Sequence, residues 1–242
     1  MHYFFNFLLF TKNIINLNYI MSKIIQKKDK IFLFDLDLTI LTVDITEGSK
    51  NFIGIVEHLY NLKKINSKTY PTFCDFDKEY RSRLKLNDTT VYKMPYDIYN
   101  KEQDKYIDEY WNTTIRHYFR ESVLLFLCEK INQGYKIWIV SASPLIYIKP
   151  ILSYIQIDKI IAIEQNKIIN YGIGKVERTE EYVGENLNNI YGFVGDSWNN
   201  DGALMMKLKN LHPLTTVKYV LTESNLDKNI STLLEKFQIE II

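Results

Sequence analysis

Five short, mostly apolar runs alternate with helical patterns along the chain, and this alternation restricts the fold more than any other property of the sequence. A run of this kind, bounded by polar loops, is typical of a strand that is buried on both faces. Strands that alternate with helices predict an α/β fold, in which helices cover both faces of a parallel sheet. The runs cover residues 31–34, 136–140, 159–163, 190–194 and 217–221.

The helical patterns divide the chain into a core and an insert. Residues 46–110 show helical periodicity and loop signals but no strong strand pattern, so we expect a mainly helical insert there. The core then comprises residues 30–45 and 111–242. Within it we predict a hairpin arm at residues 167–170 and helices over residues 111–132, 146–155 with a bend near Pro150, 177–187, 201–209 and 226–237.

The charge balance argues against nucleic-acid and membrane partners. The 242 residues include 30 basic and 29 acidic side chains, a formal net charge of +1, so no overall field attracts either partner. The apolar stretch at residues 4–10 is too short to span a bilayer and lacks the features of a secretion signal. We expect residues 1–29 to be a disordered extension, with a mis-annotated start before Met21 or a weak membrane anchor as alternatives.

Cys74 and Cys128 lack metal-ligand spacing, so we expect them to be buried or free thiols. Such thiols fit a reducing, cytoplasmic compartment.

Acidic residues follow two of the predicted strands. Asp35 and Asp37 come directly after the first run, and Asp196 and Asp201 follow the fourth. The carboxyl ends of parallel strands meet at one edge of a sheet, where ligands bind. Carboxylates that are brought together repel one another unless a cation or a shared proton relieves them. The pattern predicts an acidic site at this edge, and the alternative is a set of ordinary acidic turns or helix caps.

Two further segments have the chemistry of a phosphate site. Ser141, Ala142 and Ser143 follow the second strand, and a hydroxyl with free backbone amides before a helix suits phosphate. Serine is also a common helix cap, which is the alternative interpretation. Lys175 enters a predicted helix after Gly174, from where it can reach back to the site; otherwise it is an ordinary surface lysine. The glycines before it lack the spacing of a P-loop.

Taken together and in this order, these segments resemble the four motifs of the haloacid-dehalogenase-like superfamily of phosphohydrolases. Its motifs are Asp-x-Asp-x-Thr, a Ser or Thr after the second strand, a Lys, and Gly-Asp with a second Asp four or five residues later. They correspond here to Asp35, Asp37 and Thr39, to Ser141, to Lys175, and to Asp196 and Asp201. The run at residues 140–144 and the surroundings of Lys175 are most similar to the phosphoserine-phosphatase-like branch. Much of that branch has its last acid at the position that Asn200 occupies here.

The resemblance implies a Rossmann-like core with a mobile helical cap at residues 46–110. It also implies a Mg²⁺-dependent phosphatase that hydrolyses a small phosphate monoester, with Asp35 as nucleophile and Asp37 as general acid and base. The residues expected to hold the phosphoryl group are Thr39, Ser141, Ala142 through its backbone amide, and Lys175. The residues expected to bind Mg²⁺ are Asp35, Asp37 through its main-chain carbonyl, and Asp196, supported by Asp201 or by Asn199 or Asn200.

Other functions remain open at this point. A phosphotransferase or phosphomutase forms the same aspartyl-phosphate but passes the phosphoryl group to a sugar hydroxyl, and a protein of this fold can also bind ligands without catalysis. A nucleic-acid end phosphatase is disfavoured by the balanced charge and the expected cap. We therefore predict a small-molecule phosphate ester as partner, no nucleic acid and no stable membrane insertion, while the substrate and the oligomeric state are not predicted.

Overall fold

In a computed structural model of the chain, six parallel strands form one sheet, which confirms the predicted α/β class. The structure describes residues 29–49, 51–86, 88–165, 171–222 and 228–242. Nearly all of the predicted N-terminal extension, and the predicted hairpin arm at residues 167–170, lie outside these residues. The strands are β1 (Ile31–Phe34), β2 (Lys136–Pro144), β3 (Lys159–Ile163), β4 (Ile190–Gly195), β5 (Thr216–Tyr219) and β6 (Glu240–Ile241), in the order β3-β2-β1-β4-β5-β6.

β1 lies at the centre of this sheet, between β2 and β4, and both of its faces are buried. Phe32 and Phe34 belong to one hydrophobic cluster, whereas Ile31 and Leu33 belong to a second. Successive side chains of a strand point to opposite faces, so the two clusters occupy opposite sides of the sheet. The continuous apolar run at the start of the core is therefore explained by burial on both faces, as predicted.

Helices surround the sheet and fill the segment between β1 and β2. They are α1 (Ile55–Asn61), α2 (Phe73–Lys85), α3 (Met94–Asp97), α4 (Asp104–Thr113), α5 (Glu121–Asn132), α6 (Leu145–Ile148), α7 (Ile173–Val183), α8 (Trp198–Leu211) and α9 (Lys228–Lys236). As expected from Pro150, α6 is followed by a 3₁₀ turn at Lys149–Ser153 instead of continuing as one straight helix. None of the helices that the structure describes is long and apolar enough to cross a bilayer.

The chain leaves the sheet after β1 and returns to it before α5 along adjacent paths. Leu41 forms an antiparallel bridge with Phe119, and the backbone N–H of Thr42 donates to the carbonyl of Tyr118 at 2.8 Å. The backbone N–H of Arg120 donates to the carbonyl of Ile40, also at 2.8 Å. These bonds join the two ends of the helical segment, while its separation from the core as a cap stays a prediction.

The predicted continuous helix over residues 111–132 is wrong. α4 ends at Thr113, a 3₁₀ turn covers Ile115–Tyr118, and α5 begins at Glu121. The intervening Phe119 is extended, with φ −65° and ψ 134°, because its segment pairs with the chain leaving β1. Long-range backbone pairing thus overrides a helical pattern that is sound locally.

The helix predicted over residues 177–187 begins and ends four residues earlier, as α7. Gly172, with φ 53°, precedes its first turn, and Gly184, with φ 88°, ends it. Glycine adopts such left-handed backbone at little cost and commonly ends helices. The earlier start places Lys175 in the first turn of α7, at the carboxyl edge of the sheet.

Candidate active site

Asp35 and Asp37 reach the carboxyl edge of the sheet through a tight turn at Leu36–Ile40. The backbone N–H of Asp35 still bonds to the carbonyl of Val194 on β4, at 2.8 Å. Leu36 and Ile40 are buried in the core, whereas both carboxylates line a cavity of about 490 Å³. Leu38 has left-handed backbone, with φ 58° and ψ −5°, an uncommon conformation for a residue other than glycine.

Lys175 lies between two carboxylates, with only 1% of its side chain exposed. Its Nζ is 2.7 Å from Oδ1 of Asp35 and 2.5 Å from Oδ1 of Asp201. Burial lowers the pKa of Lys175, but the charges of Asp201 and Asp35 outweigh burial, so its pKa is raised. Lys175 therefore stays protonated and carries a fixed positive charge beside Asp35.

Asp201 connects the lysine to the loop after β4. Its second oxygen, Oδ2, accepts hydrogen bonds from the backbone N–H groups of Asp196 at 3.1 Å and Ser197 at 3.0 Å. A Cβ atom at Gly195 would lie 2.5 Å from this same oxygen, so only glycine leaves room for the contact. The glycine before Asp196 is thus explained by the close approach of the Asp201 carboxylate.

Three carboxylates converge on one point of the cavity. Asp35, Asp196 and Asp201 each offer an oxygen, and these oxygens all lie within 4.8 Å of one another. Burial raises the pKa of Asp35 to about 7 and that of Asp196 to about 8. The charge of Asp201 adds to the shift of Asp35, and the charge of Asp35 adds to the shift of Asp196. A set of carboxylate oxygens is the donor set that hard cations such as Mg²⁺ prefer, and a cation relieves this repulsion. The residues present therefore fit a magnesium ion.

Asp37 is held apart from this cluster by polar contacts of its own. Its Oδ1 accepts from the backbone N–H of Ile45 at 3.0 Å, and its Oδ2 accepts from the hydroxyls of Ser143 at 2.6 Å and Ser141 at 3.3 Å. Burial and the charge of Asp44 raise the pKa of Asp37 to about 7, although these bonds oppose the shift. A carboxyl that titrates near neutrality suits proton transfer in both directions.

The residues expected to hold phosphate take different positions. Ala142 borders the cavity, next to Ser143. Ser141 is buried and donates to Asp37, while buried Thr39 donates to Oδ1 of Asp196 at 3.0 Å. At the last motif, Asp201 joins the carboxylate cluster, whereas Asn199 and Asn200 line the cavity wall.

Several residues around the site were not identified as site residues from the sequence. Ser143 lies two residues after Ser141 in a strand, and side chains at this spacing share a face, so it could have been found. Arg120 contacts the Leu36–Ile40 turn from a position about 80 residues away, for which the sequence gives no signal. The outer wall of the cavity includes Asp44, Glu47, Tyr80, Leu84 and Tyr92.

Comparisons with known proteins identify the family and similar folds. Residues 32–205 match the family of haloacid dehalogenase-like hydrolases. The structure is similar to a protein of unknown function from Bordetella pertussis Tohama I, with TM-score 0.67 and 14% identity over 89% of this chain and 98% of that one. It is also similar to a phosphoserine phosphohydrolase-like protein from Francisella tularensis subsp. tularensis SCHU S4, with TM-score 0.54 and 15% identity over 88% of this chain and 94% of that one. No curated protein matches the sequence.

The family match covers all four segments that carry the motif residues, and it extends over well more than half of the 242 residues. The similarity to the Francisella protein agrees, at the level of the fold, with the branch that the motifs resemble. The chain belongs to the haloacid dehalogenase-like hydrolases.

Proposed function

We propose that this protein is a Mg²⁺-dependent phosphatase that hydrolyses a small phosphate monoester through an aspartyl-phosphate intermediate. The observation that supports the proposal most strongly is the convergence of Asp35, Asp196 and Asp201, whose oxygens lie within 4.8 Å of one another beside Lys175. Stability alone does not explain why acids from two strand ends are buried together with a lysine, because replacing buried charges with apolar residues often stabilises a protein.

Asp35 is the nucleophile in this proposal. Its carboxylate oxygen forms a bond to phosphorus while the bond between phosphorus and the ester oxygen breaks. Asp37 donates its proton to the departing oxygen, and then accepts a proton from the water that cleaves the aspartyl-phosphate. A pKa near 7 allows Asp37 to serve in both steps at neutral pH.

Fixed charges and donors around Asp35 orient the phosphoryl group. Lys175 directs its ammonium at the nucleophile, and the backbone amide of Ala142, with Ser141 and Thr39, completes the proposed phosphoryl site. Asp35, Asp196 and the main-chain carbonyl of Asp37, with Asp201 in support, would hold Mg²⁺, whose positive charge would offset the repulsion between carboxylate and phosphate.

The helical segment at residues 46–110 acts as the cap in this proposal. Tyr80 and Leu84 of α2, together with Tyr92, form part of the cavity wall. A cover of this kind excludes bulk water and contacts the leaving group rather than the phosphate. It favours a small soluble ester over a protein or nucleic-acid substrate.

The charge of the cavity wall favours a neutral or cationic leaving group. Asp44 and Glu47 add two carboxylates to those of the motifs, and Lys175 is the single lysine or arginine among the described residues that line the cavity. That lysine is already engaged by Asp35 and Asp201. A leaving group with further phosphates or carboxylates is repelled by this wall, since like charges in a partly buried site interact strongly.

A phosphate-release screen with and without Mg²⁺ tests the proposed function. We expect metal-dependent release from at least one small monoester, none in EDTA, and higher kcat/KM for amino-alcohol phosphates than for nucleotides or sugar bisphosphates. Release that requires an added hydroxyl acceptor indicates the phosphotransferase instead. A folded protein that binds these esters but releases no phosphate, with or without acceptors, contradicts catalysis altogether.

Metal binding and pH are coupled through the buried acids. In the metal-free protein, the pKa values of Asp35 and Asp37 are raised from 3.8 to about 7 and that of Asp196 to about 8. The folded state therefore holds more protons than the unfolded chain between pH 4 and 8, roughly, and its stability falls as pH rises through that window. We expect Mg²⁺ to raise Tm more at pH 8 than at pH 5, because protons and metal compete for the same oxygens.

Thermal unfolding at the two pH values, with Mg²⁺ and with EDTA, measures this coupling. Asp196→Asn is the matched variant: it removes one of the charges, so both the pH dependence and the Mg²⁺ effect should shrink. An equal Mg²⁺-induced shift of Tm at pH 5 and pH 8 contradicts the assignment of the metal to these carboxylates.

A further inference from the structure

Arg120 contacts the Leu36–Ile40 turn at three points. Its Nη2 donates to the carbonyl of Leu38 at 2.9 Å, and its Nε donates to the carbonyl of Thr39 at 3.1 Å. Its backbone N–H donates to the carbonyl of Ile40 at 2.8 Å. One residue thus satisfies three consecutive carbonyls of the turn that carries Asp37.

This turn requires external support. Leu38 has φ 58°, and such backbone in a residue other than glycine persists only where the surroundings enforce it. The next residue, Thr39, donates its hydroxyl to Asp196. A change in the turn therefore moves the main chain of Asp37 and the carboxylate of Asp196 together.

The guanidinium is suited to this task by shape and charge. Its planar fork offers several donors in fixed directions, so one side chain can bond two neighbouring carbonyls at once. Arg120 is partly buried, and the carboxylate of Asp196 acts on its charge. An arginine side chain is not deprotonated in proteins, so the bonds from Arg120 to the two carbonyls do not depend on pH.

We propose that Arg120 is a positioning residue, which holds the Leu36–Ile40 turn in the geometry that catalysis requires. This inference rests on the proposed function, although Arg120 belongs to none of the motifs. It lines no part of the cavity that the described residues enclose, so it acts through the carbonyls of Leu38 and Thr39 rather than on the substrate.

Arg120→Met tests the proposal, since methionine retains an aliphatic stem and removes every donor. With p-nitrophenyl phosphate and saturating Mg²⁺, we expect kcat per folded molecule to fall about 10²-fold with little change in KM, the cost of a small misplacement of reacting groups. Arg120→Lys should recover part of kcat, because one ammonium replaces one of the two side-chain contacts. Arg116→Met is the matched control: Arg116 is an exposed arginine of the same segment, bonded to His117 at 3.3 Å, and its loss should leave kcat unchanged.

Amide hydrogen exchange over residues 36–42 gives a second readout that needs no substrate. We expect faster exchange there in Arg120→Met than in the wild type and in Arg116→Met.

The positioning role is overturned if kcat of Arg120→Met lies within about threefold of the wild-type value. That result would leave the proposed phosphatase intact. If the wild type releases no phosphate, the proposed function fails, and unchanged exchange in the variant then overturns the positioning role as well. If Arg120→Met does not fold, Arg120→Lys is compared by the same two criteria.

Discussion

Asp35→Asn abolishes phosphate release, with an expected loss in kcat on the order of 10⁴-fold or more. The amide that replaces the carboxylate is a poor nucleophile, and it carries no charge for the metal or for Lys175. The variant should still fold, because asparagine has nearly the same shape and Lys175 keeps its 2.5 Å contact with Asp201. Phosphate release and circular dichroism measure the two expectations separately.

A second Asp-x-Asp pattern in the chain provides the control for this substitution. Asp75 and Asp77 lie in the first two turns of α2, where Asp75 forms a capping box with Thr72 and Asp77 pairs with Arg81 at 2.8 Å. Exposed pairs of this kind contribute about 0–1 kcal/mol, so Asp77→Asn should leave stability and kcat almost unchanged. The proposed mechanism is refuted if Asp35→Asn retains activity comparable to that of Asp77→Asn.

Lys175→Met should lower both kcat and the free energy of unfolding. The loss of a preorganised charge beside the reacting group is expected to lower kcat by roughly 10²–10³-fold. The buried carboxylates of Asp35 and Asp201 then face each other without a cation, and breaking a buried pair in this way costs about 3–5 kcal/mol. Because unpaired acids bind protons, the deficit should be largest at high pH and smaller at pH 5.

Urea unfolding in EDTA, at pH 5 and at pH 8, measures the stability of Lys175→Met without a contribution from metal. Lys207→Met is a suitable comparison, since Lys207 pairs with Glu180 at 3.0 Å and has 40% of its own side chain exposed. Its free energy of unfolding should change by less than about 1 kcal/mol. If Lys175→Met is as stable as Lys207→Met at pH 8, the lysine is not the compensating charge of the site.

The sheet and the positions of the motif acids could be predicted because their signals are local. A run such as residues 31–34 is apolar at every position and ends on Asp35, so both the strand and its polar end are visible within a few residues. β4 likewise leads directly to Asp196, although it contains Gly192 and the exposed Tyr191. Parallel pairing then brings such ends to one edge of the sheet without further information from the sequence.

Features that depend on distant parts of the chain could not be predicted in this way. The helical pattern over residues 111–132 is broken near Phe119 by pairing with Leu41, and nothing near Phe119 in sequence reveals that partner. The contact of Arg120 with Leu38 joins residues that are 82 positions apart. The start of α7, which moves Lys175 into the site, depends on the backbone conformation of Gly172, and glycine identity alone does not specify it.

The pairing of Leu41 with Phe119 means that the chain enters and leaves the helical segment by two neighbouring crossings. Loops within this segment can be exchanged without opening the sheet, provided that the contacts of Ile45 with Asp37, Thr46 with Ser143 and Tyr96 with Ile163 are kept. A protein built in this way can acquire a new leaving-group preference by recombination of one contiguous stretch of gene. The same layout makes a graft from a relative that preserves these contacts a practical route to altered specificity.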